Sequence, residues 1–470
     1  MALLFAGYVR RHEHLRQPWR RVACSASGMS ALTVLVFFAV IGLLDSLHYR
    51  PALPDQAGRR IYAVEVLSVL DAVAGSLRTA KEKTYSAPLA THLFAKETLE
   101  LPDGRQVRDH PRLRFGGAHL ADPAADWAAD VARRVLSGVA GGVIAWLVVA
   151  TLLCAAIASR QASHLDAAWR AIWRGETAVP WRAVLITLGG VMLVAGLLAL
   201  LSAKYHVLGT DKVGQDVLYQ ALKSVRTGLV IGTLTTLVML PFALLLGIMA
   251  GYFRGWVDDL IQYLYTTLSS IPGVLLIAAA VLMMQVYIEI HPEMFDTVSS
   301  RADLRLLFLC IILGVTSWTG LCRLLRGEAL KLREMEYIQA AHAFGVSHWR
   351  VITRHILPNV MHIVMIAVVM DFSGLVLAEA VLSYVGIGVD PSTISFGTMI
   401  NNARLEMARD PMVWWSLAAA FCFMLVLVLS ANLLADAVRD AFDPRIRSRV
   451  LSPARLVQHL KMAARRGPAT

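Results

Sequence analysis

Long apolar runs alternate along the chain with shorter polar stretches rich in arginine. The apolar runs fall at about residues 29–47, 135–157, 184–201, 226–250, 259–288, 304–322, 360–388 and 411–435. A helix needs about 20 mostly apolar residues to cross the roughly 30 Å hydrocarbon core of a bilayer. The pattern therefore predicts an all-α, polytopic membrane bundle of eight spans. In the stretch 259–288, Pro272 precedes Gly273. A proline removes a backbone donor and predicts a kink there. A packing kink and a hinge lining a pathway are both open readings.

The polar stretches differ in kind. Residues 48–130 carry Pro51, Pro54, Pro88, Pro102, Pro111 and Pro123, with helical patterning only near 60–80 and 124–135. They read as an extramembrane segment of modest structure, whose role the sequence does not disclose. The loop 158–182 is basic (Arg160, Arg170, Arg174, Arg182), as is the segment 323–356 (Arg323, Arg326, Lys331, Arg333, Arg350, Arg354). The tail after 436 is basic as well, whereas loop 289–303 is mainly acidic, with Glu289, Glu293, Asp296 and Asp303. Short basic loops stay on the cytoplasmic side. With eight spans, this puts both termini in the cytoplasm and residues 48–130 in the periplasm. Arg10, Arg11, Arg16, Arg20 and Arg21 precede the first run, but Asp45-Ser46-Leu47-His48 follows it where a signal peptide would show small residues. An uncleaved first span is expected.

Composition agrees. The 470 residues are 57% hydrophobic and 17% charged, and the mean hydropathy is +0.56. A soluble domain has about a quarter of its residues charged. The net charge of +11 sits in clusters beside the spans, where it faces anionic lipid; no basic face with interleaved aromatics suggests nucleic acid. The five cysteines, Cys24, Cys154, Cys310, Cys322 and Cys422, show neither CxxC spacing nor a histidine partner at metal spacing. No metal site and no resident cofactor is expected. The phosphate-cradling G-x-x-x-x-G-K-[ST] loop is absent, as are HExxH and GxSxG, so no catalytic residue is assigned. A secondary transporter would show paired repeats with broken helices, and no convincing internal repeat is present.

The chemistry concentrates in residues 336–358. Strong helix formers run up to Ala343, Gly345 stands where a helix ends in the left-handed conformation, and Ser347 can cap a second short helix. Pro358 is expected to end that second helix. Arg350 and Arg354 lie one turn apart, on a different face from Val351, Ile352 and Ile356. An amphipathic helix of this kind can lie in the lipid interface. Alternatively, the bare Ala340-Ala341 surface beside a glycine hinge suits docking into a groove on another protein.

The spacing of Gln339-Ala340-Ala341, Gly345 and Ile356-Leu357-Pro358 resembles the EAA loop of ABC importer permeases, with Gln339 in place of glutamate and His355 where an apolar residue is usual. Four further stretches resemble the dipeptide and oligopeptide permeases of C type: His206–Leu218, Ala250–Asp258, Leu377–Val389 and Val438–Arg445. The resemblance is collinear over about 184–445. It implies a type I importer transmembrane domain with two extra N-terminal spans, in the bacterial inner membrane, that translocates peptides. It also implies partners: a second permease subunit in a heterodimer, ATPase subunits that bind the ATP, and a periplasmic peptide-binding protein. The loop would couple to the ATPase through Gln339, Ala340, Ala341, Gly345, Ile356, Leu357 and Pro358. Asp371 and Glu379 lie in or near the end of the span 360–388. Ionisable groups there mark a functional site or a helix-packing hydrogen bond, and the packing role is the expected one.

Overall fold

The computed structural model describes residues 13–51, 66–100, 106–161, 164–291 and 298–442. Arg10, Arg11 and the basic tail 446–470 lie outside the described residues.

An amphipathic helix α1 (Glu13–Cys24) leads through the cap residue Ser25 into α2 (Ala26–Ser46). The extramembrane stretch holds strands β1 (His48–Tyr49) and β2 (Leu67–Ser68) and short helices α3 (Val69–Val73) and α4 (Gly75–Thr79). It also holds a hairpin of β3 (Glu97–Glu100) and β4 (Gln106–Asp109). Both strand pairs are antiparallel, with His48 opposite Ser68 and Glu97 opposite Asp109. Helix α5 (Pro123–Gln161), α6 (Leu165–Arg174) and α7 (Trp181–Ser202) follow, then α8 (Val217–Phe253), α9 (Trp256–Ser270), α10 (Gly273–Ile290) and α11 (Val298–Arg333). The helix–turn–helix segment is α12 (Glu336–Ala343) and α13 (His348–Val351), and a π turn over Ile352–Ile356 runs into α14 (Leu357–Val385). Helices α15 (Phe396–Glu406) and α16 (Trp415–Phe442) complete the described chain.

Eight helices among the described residues are long and apolar enough to cross a membrane: α2, α5, α7, α8, α10, α11, the continuous helix His348–Val385, and α16. The expected number stands, but two details change. The run 259–288 is not one kinked helix. It breaks at Ile271-Pro272 into the amphipathic α9 and the apolar α10, and Pro272 is the exposed residue before α10. The proline thus marks the boundary between two helices and does not lie inside one. Pro358 does not end a helix either. The π turn before it widens the backbone, which gives room to a ring that would clash with the carbonyl one turn back in an α-helix.

Helices α5 and α7 form a hairpin in which glycines stand in for side chains. A Cβ on Gly142 would lie 2.8 Å from the Met192 carbonyl, and one on Gly196 would lie 2.7 Å from that of Gly138. Small residues at such seams let membrane helices pack closely. The loop between them is not irregular: α6 buries Ala168 and Ile172 and turns Arg170 and Arg174 outward. Trp169, Trp173 and Trp181 beside it suit the membrane–water boundary.

The extramembrane segment is bonded onto the N-terminal end of α8. Asp71 accepts from Lys223 Nζ at 2.8 Å and from Tyr219 Oη at 2.7 Å. Ser68 donates to Asp45 at 2.7 Å, which joins the end of α2 to the same group. A few residues on, Glu82 accepts from the backbone N–H groups of Arg114, Phe115 and Gly116 at 2.8–3.1 Å. The buried His206 links Glu82 to Asp216, with Nε2 at 3.4 Å from Glu82 and Nδ1 at 2.7 Å from Asp216. Asp216 also caps α8 by accepting from the N–H groups of Leu218 and Tyr219. This is more order than the proline-rich sequence suggests, because long-range carboxylate bonds, invisible to periodicity, supply it.

Burial disfavours charge on each member of this group, but the partners outweigh it. His206 and the three backbone donors hold Glu82 down at about 2, and Asp216 and Glu82 push His206 up to about 9. The raised His206 value stabilises the fold fully below the ordinary 6.5 and loses that contribution as pH rises through about 9. The depressed Glu82 value contributes above 4.5 and is lost as pH falls towards about 2. Protection factors of residues 82–86 and 113–116, that is, exchange corrected for the base-catalysed intrinsic rate, are therefore expected to be lower at pH 9.5 than at pH 6, and His206→Gln is expected to remove most of that difference.

Candidate functional site

The opposite end of α8 supports the helix–turn–helix segment. Helix α8 is 37 residues long, about 55 Å at 1.5 Å per residue, so its C-terminal turns lie far from the extramembrane segment. There α8 and α11 touch backbone to backbone: a Cβ on Gly247 would meet the Cys322 carbonyl at 2.8 Å, and one on Gly251 would meet the Arg326 carbonyl at 2.5 Å. Two ion pairs close the same corner. Arg326 grips Asp258 of α9 with two bonds, at 2.5 and 2.8 Å, and Arg254 reaches Glu334 at 2.5 Å. The Arg326 bonds hold the Asp258 carboxyl below its usual range despite its burial. Arg254 itself takes φ +59° with ψ −170°, a conformation otherwise left to glycine.

On this platform, Ile338, Val351 and Ile356 are fully buried and pack with Tyr252, Leu325, Ala329 and Leu332. The turn between α12 and α13 has the geometry its sequence predicts. Gly345 has φ +71°; its N–H donates to the His342 carbonyl and that of Val346 to the Ala341 carbonyl, each at 3.0 Å. That is a Schellman ending, which requires the left-handed residue glycine accepts without strain.

The sequence-derived coupling residues separate into two faces. Gln339, Ala340 and Gly345 are exposed, whereas Ala341, Leu357 and Pro358 are half-buried and Ile356 is fully buried. Ala341 packs on the chain's own core, so the Ala340-Ala341 pair is not one bare surface. The helix pitch explains this, since neighbouring residues point about 100° apart. The exposed face carries two large side chains that the motif does not highlight, Phe344 (86% exposed) and Trp349 (68% exposed). Sequence reasoning could have found them as aromatics flanking a polar turn.

It also missed a clasp. Tyr252 Oη lies 3.0 Å from His342 Nε2 and 2.8 Å from His348 Nδ1, and its ring stacks on His342 with centroids 5.7 Å apart. Two histidines of the loop are thus bonded to the end of α8.

The two acidic residues of α14 are placed differently. Glu379 is buried, and its Oε1 accepts from Ser383 at 2.7 Å and from Ser395 at 2.9 Å. Ser395 also caps α15, so Glu379 ties α14 to α15. Asp371 is half-buried and lies at mid-helix, away from Glu379. Among the described residues no cluster of histidine, cysteine, aspartate or glutamate is arranged to hold a metal ion.

The helical bundle with a turn segment seated on its end is the architecture of a polytopic membrane protein. The family of binding-protein-dependent transport system inner membrane components matches over residues 243–448. The oligopeptide transport system permease protein OppC of Mycobacterium bovis is 33% identical over 243 residues, 52% of this chain and 77% of its own length. The glutathione transport system permease protein GsiD of Pectobacterium atrosepticum is 32% identical over 243 residues, 52% of this chain and 74% of its own. The dipeptide transport system permease protein DppC of Lactococcus lactis is 29% identical over 240 residues, 51% and 64% of the two chains. The chain belongs to this family of transport permeases.

The α8–α11 contact leaves no room for a methyl group. Gly251→Ala is expected to cost about 1–3 kcal/mol by overpacking, read as a lower thermal midpoint of the detergent-solubilised protein. Gly190→Ala, which meets open space, is expected to leave the midpoint in place.

Proposed function

We propose that this chain is the permease subunit of an ATP-driven importer that moves peptides across the bacterial inner membrane, with both termini and the segment 336–358 in the cytoplasm and residues 48–130 in the periplasm. The observation that carries the reading is the two-faced turn segment. Its inner face is packed into the end of the bundle by Ile338, Val351 and Ile356, while Phe344 and Trp349 are left uncovered by the chain on the outer face. Aromatic anchors of this size, presented on a small rigid element, suit a groove on a partner protein. A lipid-lying helix would instead turn its aromatics and its buried face the same way.

The peptide class rests on the names of the relatives, which transport oligopeptides, glutathione and dipeptides. The energy would come from separate ATPase subunits, since this chain has no phosphate-binding loop. A second permease would complete the pathway, and a periplasmic peptide-binding protein would deliver the substrate. Residues 184–445 would form the transport domain. The two N-terminal spans α2 and α5 and the segment 48–130 would stand outside the family's usual pattern. Exposed faces such as Pro272 and the half-buried Asp371 would then be available to the second permease or to the pathway, and Glu379 would serve as a packing group.

Ala340→Arg and the pair Phe344→Ala, Trp349→Ala are expected to insert normally, to lose most of the ATPase subunits on copurification, and to import peptide poorly. Ala341→Arg is expected to lower the stability of the permease itself. Full retention of the ATPase with the aromatics removed would sink the docking assignment. Single-cysteine labelling from outside, with the native cysteines replaced, is expected to mark position 90 and spare position 170.

A further inference from the structure

The turn segment meets α8 through apolar packing and one polar contact. Ile338, Val351 and Ile356 supply the packing. The polar contact is the phenol of Tyr252, nearly buried at 3% exposure, bonded to His342 at 3.0 Å and His348 at 2.8 Å. The two imidazoles lie on opposite sides of Gly345, one closing α12 and one opening α13. Among the described residues, no other side-chain hydrogen bond joins residues 338–356 to another membrane span. The rings also touch one another, with centroids 5.3 Å apart.

A phenol has one hydrogen to donate and lone pairs to accept. It can therefore serve two imidazoles at once, accepting N–H from one and, with the other, either donating to a bare nitrogen or accepting a second N–H. Apolar packing resists separation but slides readily, because it has no preferred direction. A hydrogen bond weakens steeply when its angle changes. Two such bonds, from either side of a turn to a single oxygen, fix both the position and the tilt of the turn relative to α8.

We propose that Tyr252 is a positioning residue for energy coupling: it straps the ATPase-facing turn to the end of α8, so that a displacement of the turn is passed to that helix. The proposal rests on the coupling role given to residues 336–358 above. Tyr252 is itself nearly buried, in the apolar core beneath the turn.

The test uses the complete transporter, with its partner permease, ATPase subunits and binding protein, reconstituted in liposomes and supplied with ATP and a dipeptide. Two quantities are read together: peptide imported per ATP hydrolysed, and ATPase retained on purification. Tyr252→Phe keeps the ring and removes the hydroxyl. It is expected to retain the ATPase and to lower the peptide-per-ATP ratio at least about fivefold, the weight of one typical hydrogen bond, since both bonds are lost. His342→Gln and His348→Gln, whose amides can still bond the phenol, are expected to keep most of the ratio, and His342→Leu and His348→Leu to lose it. That rescue separates a positioning bond from mere filling of space. An unchanged ratio in Tyr252→Phe, or equal effects of Gln and Leu, overturns the strap. Loss of the ATPase in Tyr252→Phe also overturns it, because the hydroxyl would then act in docking. A wild-type complex that imports no peptide would instead overturn the coupling role on which the strap depends.

Discussion

The backbone contact between α8 and α11 is the constraint on which the rest depends. Lipid tails offer no more to an apolar side chain than another helix does, so membrane helices associate where small residues let them approach closely. Gly247 and Gly251 provide that approach over the last two turns of α8. Only with α11 seated there can Arg326 reach Asp258, and only then do Leu325, Ala329 and Leu332 form the floor on which Ile338, Val351 and Ile356 rest. The turn segment is therefore a tertiary feature of four helices, although its residues are contiguous in sequence.

The membrane spans were legible because periodicity and length carry them directly. The spacing around Gly345 was legible for a similar reason: a Schellman ending is local chemistry, and glycine announces it. What was not legible depended on partners distant in sequence. Ala341 cannot be told from Ala340 without the helix pitch and the core beneath it. Pro358 reads as a terminator until the π turn ahead of it is seen. The break at Ile271-Pro272 reads as a kink because both halves are apolar enough to continue. For Tyr252, the sequence offers an ordinary aromatic at a helix end, 90 residues before His342 and 96 before His348.

The extramembrane segment shows the same limit from the other side. Its prolines and its mixed polarity gave no core to predict, and buried carboxylates join Leu70, Leu77 and Tyr85 in holding it on the bundle. Buried carboxylates are costly unless their bonds are satisfied, and here they are. Glu82 takes three backbone donors and Asp71 takes a lysine, a tyrosine and a backbone N–H. Such groups specify a single arrangement, because any shift leaves charge unpaired.

The two ends of α8 are thus fastened by different physics. At the N-terminal end, directional ionic bonds fix the extramembrane segment, and Asp216 serves at once as helix cap and as partner of His206. At the C-terminal end, close backbone packing and a broad apolar contact hold the turn segment, and the Tyr252 bonds to His342 and His348 set its direction. Ionic bonds carry their own direction, while an apolar contact has none and takes it here from the two bonds to Tyr252. One end of α8 is held by charge and the other by shape. The distribution of charge and glycine along a single helix provides both.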